Sequence, residues 1–109
     1  MQVTTEVVAK LRHWSEQTSV VTRTWIYGSR ARNEARDESD LDIAIELGDD
    51  SEIASMHWID NAEAWREGLR LLLDGFAPLD LQVALDDDEF VKPGVQRDGI
   101  LIFQREPAP

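Results

Sequence analysis

Asp40-Leu41-Asp42 sets two carboxylates two residues apart, with ten residues between it and Gly28-Ser29, at the head of an alternating apolar run. In a strand, residues so spaced project to the same side and lie roughly 6.5–7 Å apart. Their carboxylates can converge on one divalent cation or bridge a pair about 3.5–4 Å apart. Oxygen ligands without His or Cys suit Mg²⁺ or Mn²⁺ rather than zinc. Asp80 stands in the same relation to Leu79, Leu81 and Val83 as Asp42 does to Leu41, Ile43 and Ile45. If both strands share a sheet and turn their apolar sides to one core, Asp40, Asp42 and Asp80 fall on one polar face. Three carboxylates so close repel one another and need a cation to coexist.

Tyr27-Gly28-Ser29 supplies a second element. Glycine lets the backbone approach a ligand or take positive φ, and a helix opening at Ser29 aims free N–H groups at an anion. Each feature also has a plainer reading on its own. The Gly-Ser pair can be an ordinary strand-to-helix turn with a serine cap, Asp-x-Asp a solvated polar face, and Asp80 an exposed aspartate. The combination with its fixed gap arises by composition on the order of once in a thousand chains of this length. Arg23, Arg30, Arg32 and Arg36 cluster around the turn, as a phosphate-holding segment would. His13 and His57 lack ligand spacing, and the run Asp86-Asp87-Asp88-Glu89 reads as a solvated loop or helix start.

These residues need a sheet to hold them. Val7, Val8, Leu11 and Trp14 recur at helical spacing behind Thr4 and Thr5, so the chain opens with a helix. Val20 to Tyr27 reads as a strand, and Ser29 to Arg32 as a turn into a short helix. Leu41, Ile43, Ile45 and Leu47 alternate with Asp42, Ala44 and Glu46, the pattern of a half-buried strand. A long helix follows with Trp58, Ala62, Trp65, Leu69 and Leu72 on one face, closing at Asp74-Gly75. Trp58 and Trp65 are expected to pack in the core. Leu79, Leu81, Val83 and Leu85 form a third strand, Pro93-Gly94 to Asp98-Gly99 a helical turn, and Ile100 to Phe103 a last strand. The order α-β-α-β-α-β, then a short α and β, implies an α/β (α+β) fold with one small mixed sheet flanked by helices.

The 109 residues suit one domain, 1–109, with one modest core. Any active site must then be shallow or completed by another molecule. Cysteine is absent, which excludes disulfides and thiolate metal sites. Neither a signal peptide nor an apolar run of membrane-spanning length is visible, so a cytoplasmic protein with no membrane contact is expected. A formal charge of −11 argues against a long nucleic-acid partner and favours a basic one.

Residues 27–45, Tyr-Gly-Ser-Arg-Ala-Arg-Asn-Glu-Ala-Arg-Asp-Glu-Ser-Asp-Leu-Asp-Ile-Ala-Ile, closely resemble the signature of the DNA polymerase β-like nucleotidyltransferases. Within that superfamily the chain resembles the minimal nucleotidyltransferases, antitoxin partners in HEPN–MNT toxin–antitoxin pairs. Leu79-Asp80-Leu81-Gln82-Val83 resembles their third-carboxylate strand, and Arg97 to Phe103 their tail. The resemblance implies the nucleotidyltransferase fold. It implies that Gly28 and Ser29 hold the β- and γ-phosphates of ATP, with Arg32 steadying the triphosphate. Asp40 and Asp42 would ligate Mg²⁺, two ions in all, and Asp80 would complete the site and help deprotonate an attacking hydroxyl. Asn33 departs from the glycine common there, and asparagine tolerates the left-handed backbone the turn needs. The implied reaction moves AMP from ATP to a tyrosine of a HEPN-family toxin. An adenylyltransferase acting on a small molecule such as an aminoglycoside, whose pocket an oligomer could complete, is one alternative. A non-catalytic antitoxin that neutralises by contact is the other.

Overall fold

A computed structural model describes residues 1–48, 50–85 and 88–106. Helix α1 (Thr5–Gln17) is capped by Thr4, whose side chain accepts the Val7 N–H at 3.1 Å. Strand β1 (Arg23–Tyr27) leads directly into the one-turn helix α2 (Gly28–Ala31). Strand β2 (Leu41–Glu46) is followed by the long helix α3 (Ser51–Leu72) and strand β3 (Leu79–Val83). Helix α4 (Val91–Asp98) and strand β4 (Ile100–Gln104) complete the order expected from the sequence.

The four strands form one mixed sheet in the order β3-β2-β1-β4. β1 runs antiparallel to β2 and β4, whereas β2 and β3 are parallel. A parallel neighbour needs a crossover, and α3 supplies it. Apolar alternation then does what the pattern requires. Leu41, Ile43 and Ile45 of β2, Ile26 of β1, Leu81 of β3 and Ile102 of β4 are buried against Val7 and Leu11 of α1 and Ala54 and Leu69 of α3. Ser15 fastens α1 to the sheet through a 2.7 Å hydrogen bond with the buried Thr24 hydroxyl. Trp58 and Trp65 pack at the margin of this core, and Trp65 meets Trp14 edge-on with centroids 6.2 Å apart.

Three details differ from the sequence pattern. Strand pairing of β1 begins at Arg23 rather than Val20, because Val21 turns inward, is fully buried, and donates its N–H to Thr18 O at 2.9 Å. Ala44 alternates onto the same side of β2 as Asp42, and that side is covered there, for Ala44 is fully buried. Its register partners Trp25 and Gln82 flank it, and α4 packs on that side of the sheet through Gly94, against the ring of Tyr27. Helix α4 starts two residues before Pro93, because the Asp88 carboxylate accepts the N–H groups of Phe90, Val91 and Lys92 at 2.8–3.1 Å. Proline in a first turn forfeits no intrahelical bond. Asp88 is therefore the helix-start residue of the acidic run; Asp86 and Asp87 lie outside the described residues. Among the described residues no helix is long and apolar enough to cross a membrane.

Candidate active site

Strand register assembles the site. Tyr27 pairs with Asp42 across β1 and β2, and Asp42 pairs with Asp80 across β2 and β3. All three point away from the α1/α3 core, on the side the alternation assigns to polar residues. Asp40 sits just before β2, two residues from Asp42, and joins them. The carboxylates of Asp40, Asp42 and Asp80 each offer an oxygen within 4.8 Å of the others. Oxygens around an octahedral Mg²⁺ are about 3–4 Å apart, so a small side-chain adjustment seats a cation among them. The donor set, three hard carboxylates on one face of the sheet, fits that ion.

The electrostatics carry the same information. Burial, then the charges of Asp80 and Asp40, push the Asp42 carboxyl up to about 6. Without a cation Asp42 resists ionisation, and a divalent ion among the three carboxylates would relieve the repulsion. Gln82, on the same face of β3, donates from Nε2 to Asp80 Oδ1 at 2.8 Å and fixes that carboxylate's orientation. Burial and the charges of Asp80, Asp42 and Asp88 hold the Tyr27 phenol neutral, pushed up to about 12. Tyr27, Asp80, Gln82, Leu85 and Phe90 border an open pocket of about 540 Å³.

Gly28 is built into the same group. It takes φ +75°, and a Cβ added there would collide with Asp42 Oδ2 and lie 3.0 Å from Asp42 Cγ. Only glycine lets the turn lie against this carboxylate. Ser29 follows as the second residue of α2, half-buried, and its carbonyl accepts the Glu34 N–H at 2.9 Å. The first N–H groups of a helix have no intrahelical acceptor, so the turn brings donors beside the carboxylates. Asn33 adopts φ 62°, the left-handed backbone that its side chain tolerates.

The arginine cluster disperses in three dimensions. Arg32 stands near the site, with Nη1 2.7 Å from Asp98 Oδ2 and Nε 3.0 Å from Glu34 Oε2, and its charge opposes the rise at Asp42. Arg30 is a structural residue. It is 7% exposed, donates to the carbonyls of Gln2, Asp37 and Ser39 at 3.0–3.3 Å, and lies over the Phe76 ring. Arg23 pairs with Glu46 at the end of β1 opposite Tyr27. Arg36 engages Ser39 through its backbone N–H. Sequence reasoning did not single out Gln82 or Asp98. Gln82 was legible as a polar residue two beyond Asp80 in an alternating strand; the Asp98 contact joins residues 66 apart and had no local signal.

Residues 9–108 match the polymerase beta nucleotidyltransferase family. The chain belongs to this family. The fold agrees with that membership. A toxin–antitoxin crystal structure with AMP-PNP aligns with a TM-score of 0.61 at 19% identity, covering 93% of this chain and 73% of that one. A mutant MntA-HpeT toxin–antitoxin structure aligns at 0.60 and 17%, with the same coverage of each chain. Likeness at these identities establishes the nucleotidyltransferase fold. No curated protein matches the chain.

Proposed function

We propose that residues 1–109 act as a single-domain, Mg²⁺-dependent nucleotidyltransferase that moves AMP from ATP to a tyrosine hydroxyl of a HEPN-family toxin, and so serve as its antitoxin. The observation that carries this reading is the convergence of Asp40, Asp42 and Asp80 beside the left-handed Gly28. The related folds support the choice of partner and donor. One is a toxin–antitoxin structure with the ATP analogue AMP-PNP. The other carries Asp-to-Glu changes at two aspartates spaced as Asp40 and Asp42 are here. A cytoplasmic setting, where ATP and Mg²⁺ are available, belongs to the same reading.

Mg²⁺ held by Asp40, Asp42 and Asp80 would neutralise the triphosphate and stabilise the attacking and leaving oxygens. The protein contributes position. Backbone N–H groups at Gly28 and Ser29 bind the β- and γ-phosphates, and Arg32 steadies them. Asp80, oriented by Gln82, accepts the proton of the acceptor hydroxyl. A bond then forms between the acceptor oxygen and the α-phosphorus, the bond to the β-phosphate oxygen breaks, and pyrophosphate leaves.

Incubation with α-labelled ATP, Mg²⁺ and a purified HEPN partner, followed by mass spectrometry, tests the assignment. A tyrosine of the partner gaining AMP, and gaining none with Asp42→Asn, is the expected result. An unlabelled partner that is still neutralised by the aspartate variants would replace catalysis with binding. Label on an aminoglycoside would make the acceptor a small molecule.

A further inference from the structure

Helix α3 carries an apolar stripe that the core does not use. Its inner face buries Ala54, Ala62 and Leu69 against the sheet. On the outer side Ile53 is 53% exposed, Met56 60% and Ile59 78%. These positions recur every three residues and so form one band across the first two and a half turns of the helix. Scattered apolar residues on a surface are ordinary, but three large ones in register on one solvent-facing stretch form a patch of the kind that marks a partner site. Methionine, flexible and polarizable, is favoured on such surfaces.

The charge around the stripe identifies what can cover it. Residues 51–65 contain Glu52, Asp60 and Glu63 and no lysine or arginine, and the next residue, Arg66, holds its guanidinium over the Trp58 ring and donates to Leu81 O. All three acids are exposed. A second copy docking through the same face would bring acid against acid in a chain of net charge −11, and an anionic membrane would be repelled likewise. A cationic amphipathic helix meets both requirements. Its apolar side covers Ile53, Met56 and Ile59, and its flanking lysines or arginines pair with the acids. We infer that the outer face of α3 is a docking surface for a basic amphipathic helix of another protein. The carboxylate site and α4 lie on the opposite side of the sheet from α3, so a partner held here leaves the pocket beside Asp80 open. The inference is independent of the transfer reaction, since a contact surface on α3 needs neither ATP nor metal.

The experiment uses the full chain and a synthetic helical peptide with a leucine stripe flanked by lysines. Saturable binding is expected, with hydrogen-exchange protection confined to residues 51–63. Ile53→Ser, Met56→Ser and Ile59→Ser combined should weaken binding by about tenfold or more. The same variant should keep Mg²⁺–ATP affinity and the circular dichroism of the parent, because all three side chains are more than half exposed. A lysine peptide with serines in place of the leucine stripe should fail to protect the segment. Equal binding by that control, protection elsewhere, or an unchanged affinity of the triple variant overturns the inference. So does a dimer of the parent in sedimentation that the triple variant dissociates, which would make the occupant a second copy.

Discussion

Adding one methyl group at Gly28 measures how tightly the turn and the carboxylates are built together. Gly28→Ala must hold a positive φ and displace Asp42, so it should lose about 1–3 kcal/mol in urea unfolding and weaken Mg²⁺–ATP binding in parallel. Parent-like binding would separate the turn from the site. Asp42 allows a pH test in metal-free protein. Its carboxyl is raised from 3.8 to about 6, first by burial and then by Asp80 and Asp40. A raised folded value means the native state holds the proton longer than the unfolded chain. The group's contribution is therefore complete below about pH 3.8 and is lost as pH rises through about 6. Asp42→Asn should make the metal-free protein more stable than the parent at pH 7. The gain should be about 1–2 kcal/mol after allowing for solvent at a half-exposed group, vanishing near pH 4. A stability difference independent of pH would contradict the crowding of the three carboxylates. Asp80→Asn should separate binding from chemistry: ATP affinity changes little while transfer falls by about 100-fold or more. Wild-type transfer by that variant would remove Asp80 from the reaction.

At the scale of elements, the segment between α2 and β2 is held by Arg30, whose guanidinium collects three backbone carbonyls. Arg30→Ala strands those acceptors and should cost about 2–4 kcal/mol in urea unfolding. Lysine, lacking the planar fork, should rescue little, whereas Arg36→Ala should stay within about 0.5 kcal/mol. Equal effects of the two alanine variants would contradict the structural role of Arg30. The contrast also explains what the sequence could convey. The strands bearing Asp42 and Asp80 were legible because their apolar alternation had to face one core, and that fixed the side of each carboxylate. Gly28 and Ser29 were legible as punctuation between a strand and a helix. The division of labour among four arginines was not, because it rests on which carbonyls and carboxylates the folded chain brings within reach. The burial of Ala44 was not legible for a related reason. Period-two alternation assigns a side of the sheet, and only the packing of α4 decided that part of that side is covered. The start of α4 was legible only in part: the acidic run already read as a loop or helix start, but that Asp88 fills the role depends on its three N–H partners rather than on Pro93-Gly94.

Across the whole molecule, a chain of net charge −11 gathers three of its carboxylates on one face of its sheet, at a cost visible in the raised Asp42. A compact acidic protein tolerates that arrangement when a cation compensates it, and the proposed ligand is a metal-bound triphosphate. Binding should then be linked: metal raises affinity for ATP, ATP raises affinity for metal, and both stabilise the fold by mass action. The most direct measurement is calorimetric titration of ATP into the parent, Asp40→Asn and Asp42→Asn, each with Mg²⁺ and with chelator. The parent is expected to bind ATP with Mg²⁺ and to lose at least about tenfold in affinity in chelator, equivalent to about 1.4 kcal/mol. The two variants should bind weakly in both conditions. Equal affinity with and without Mg²⁺, or parent-like Mg²⁺-dependent binding by both variants, would contradict the assignment of Asp40 and Asp42 as the metal–nucleotide site.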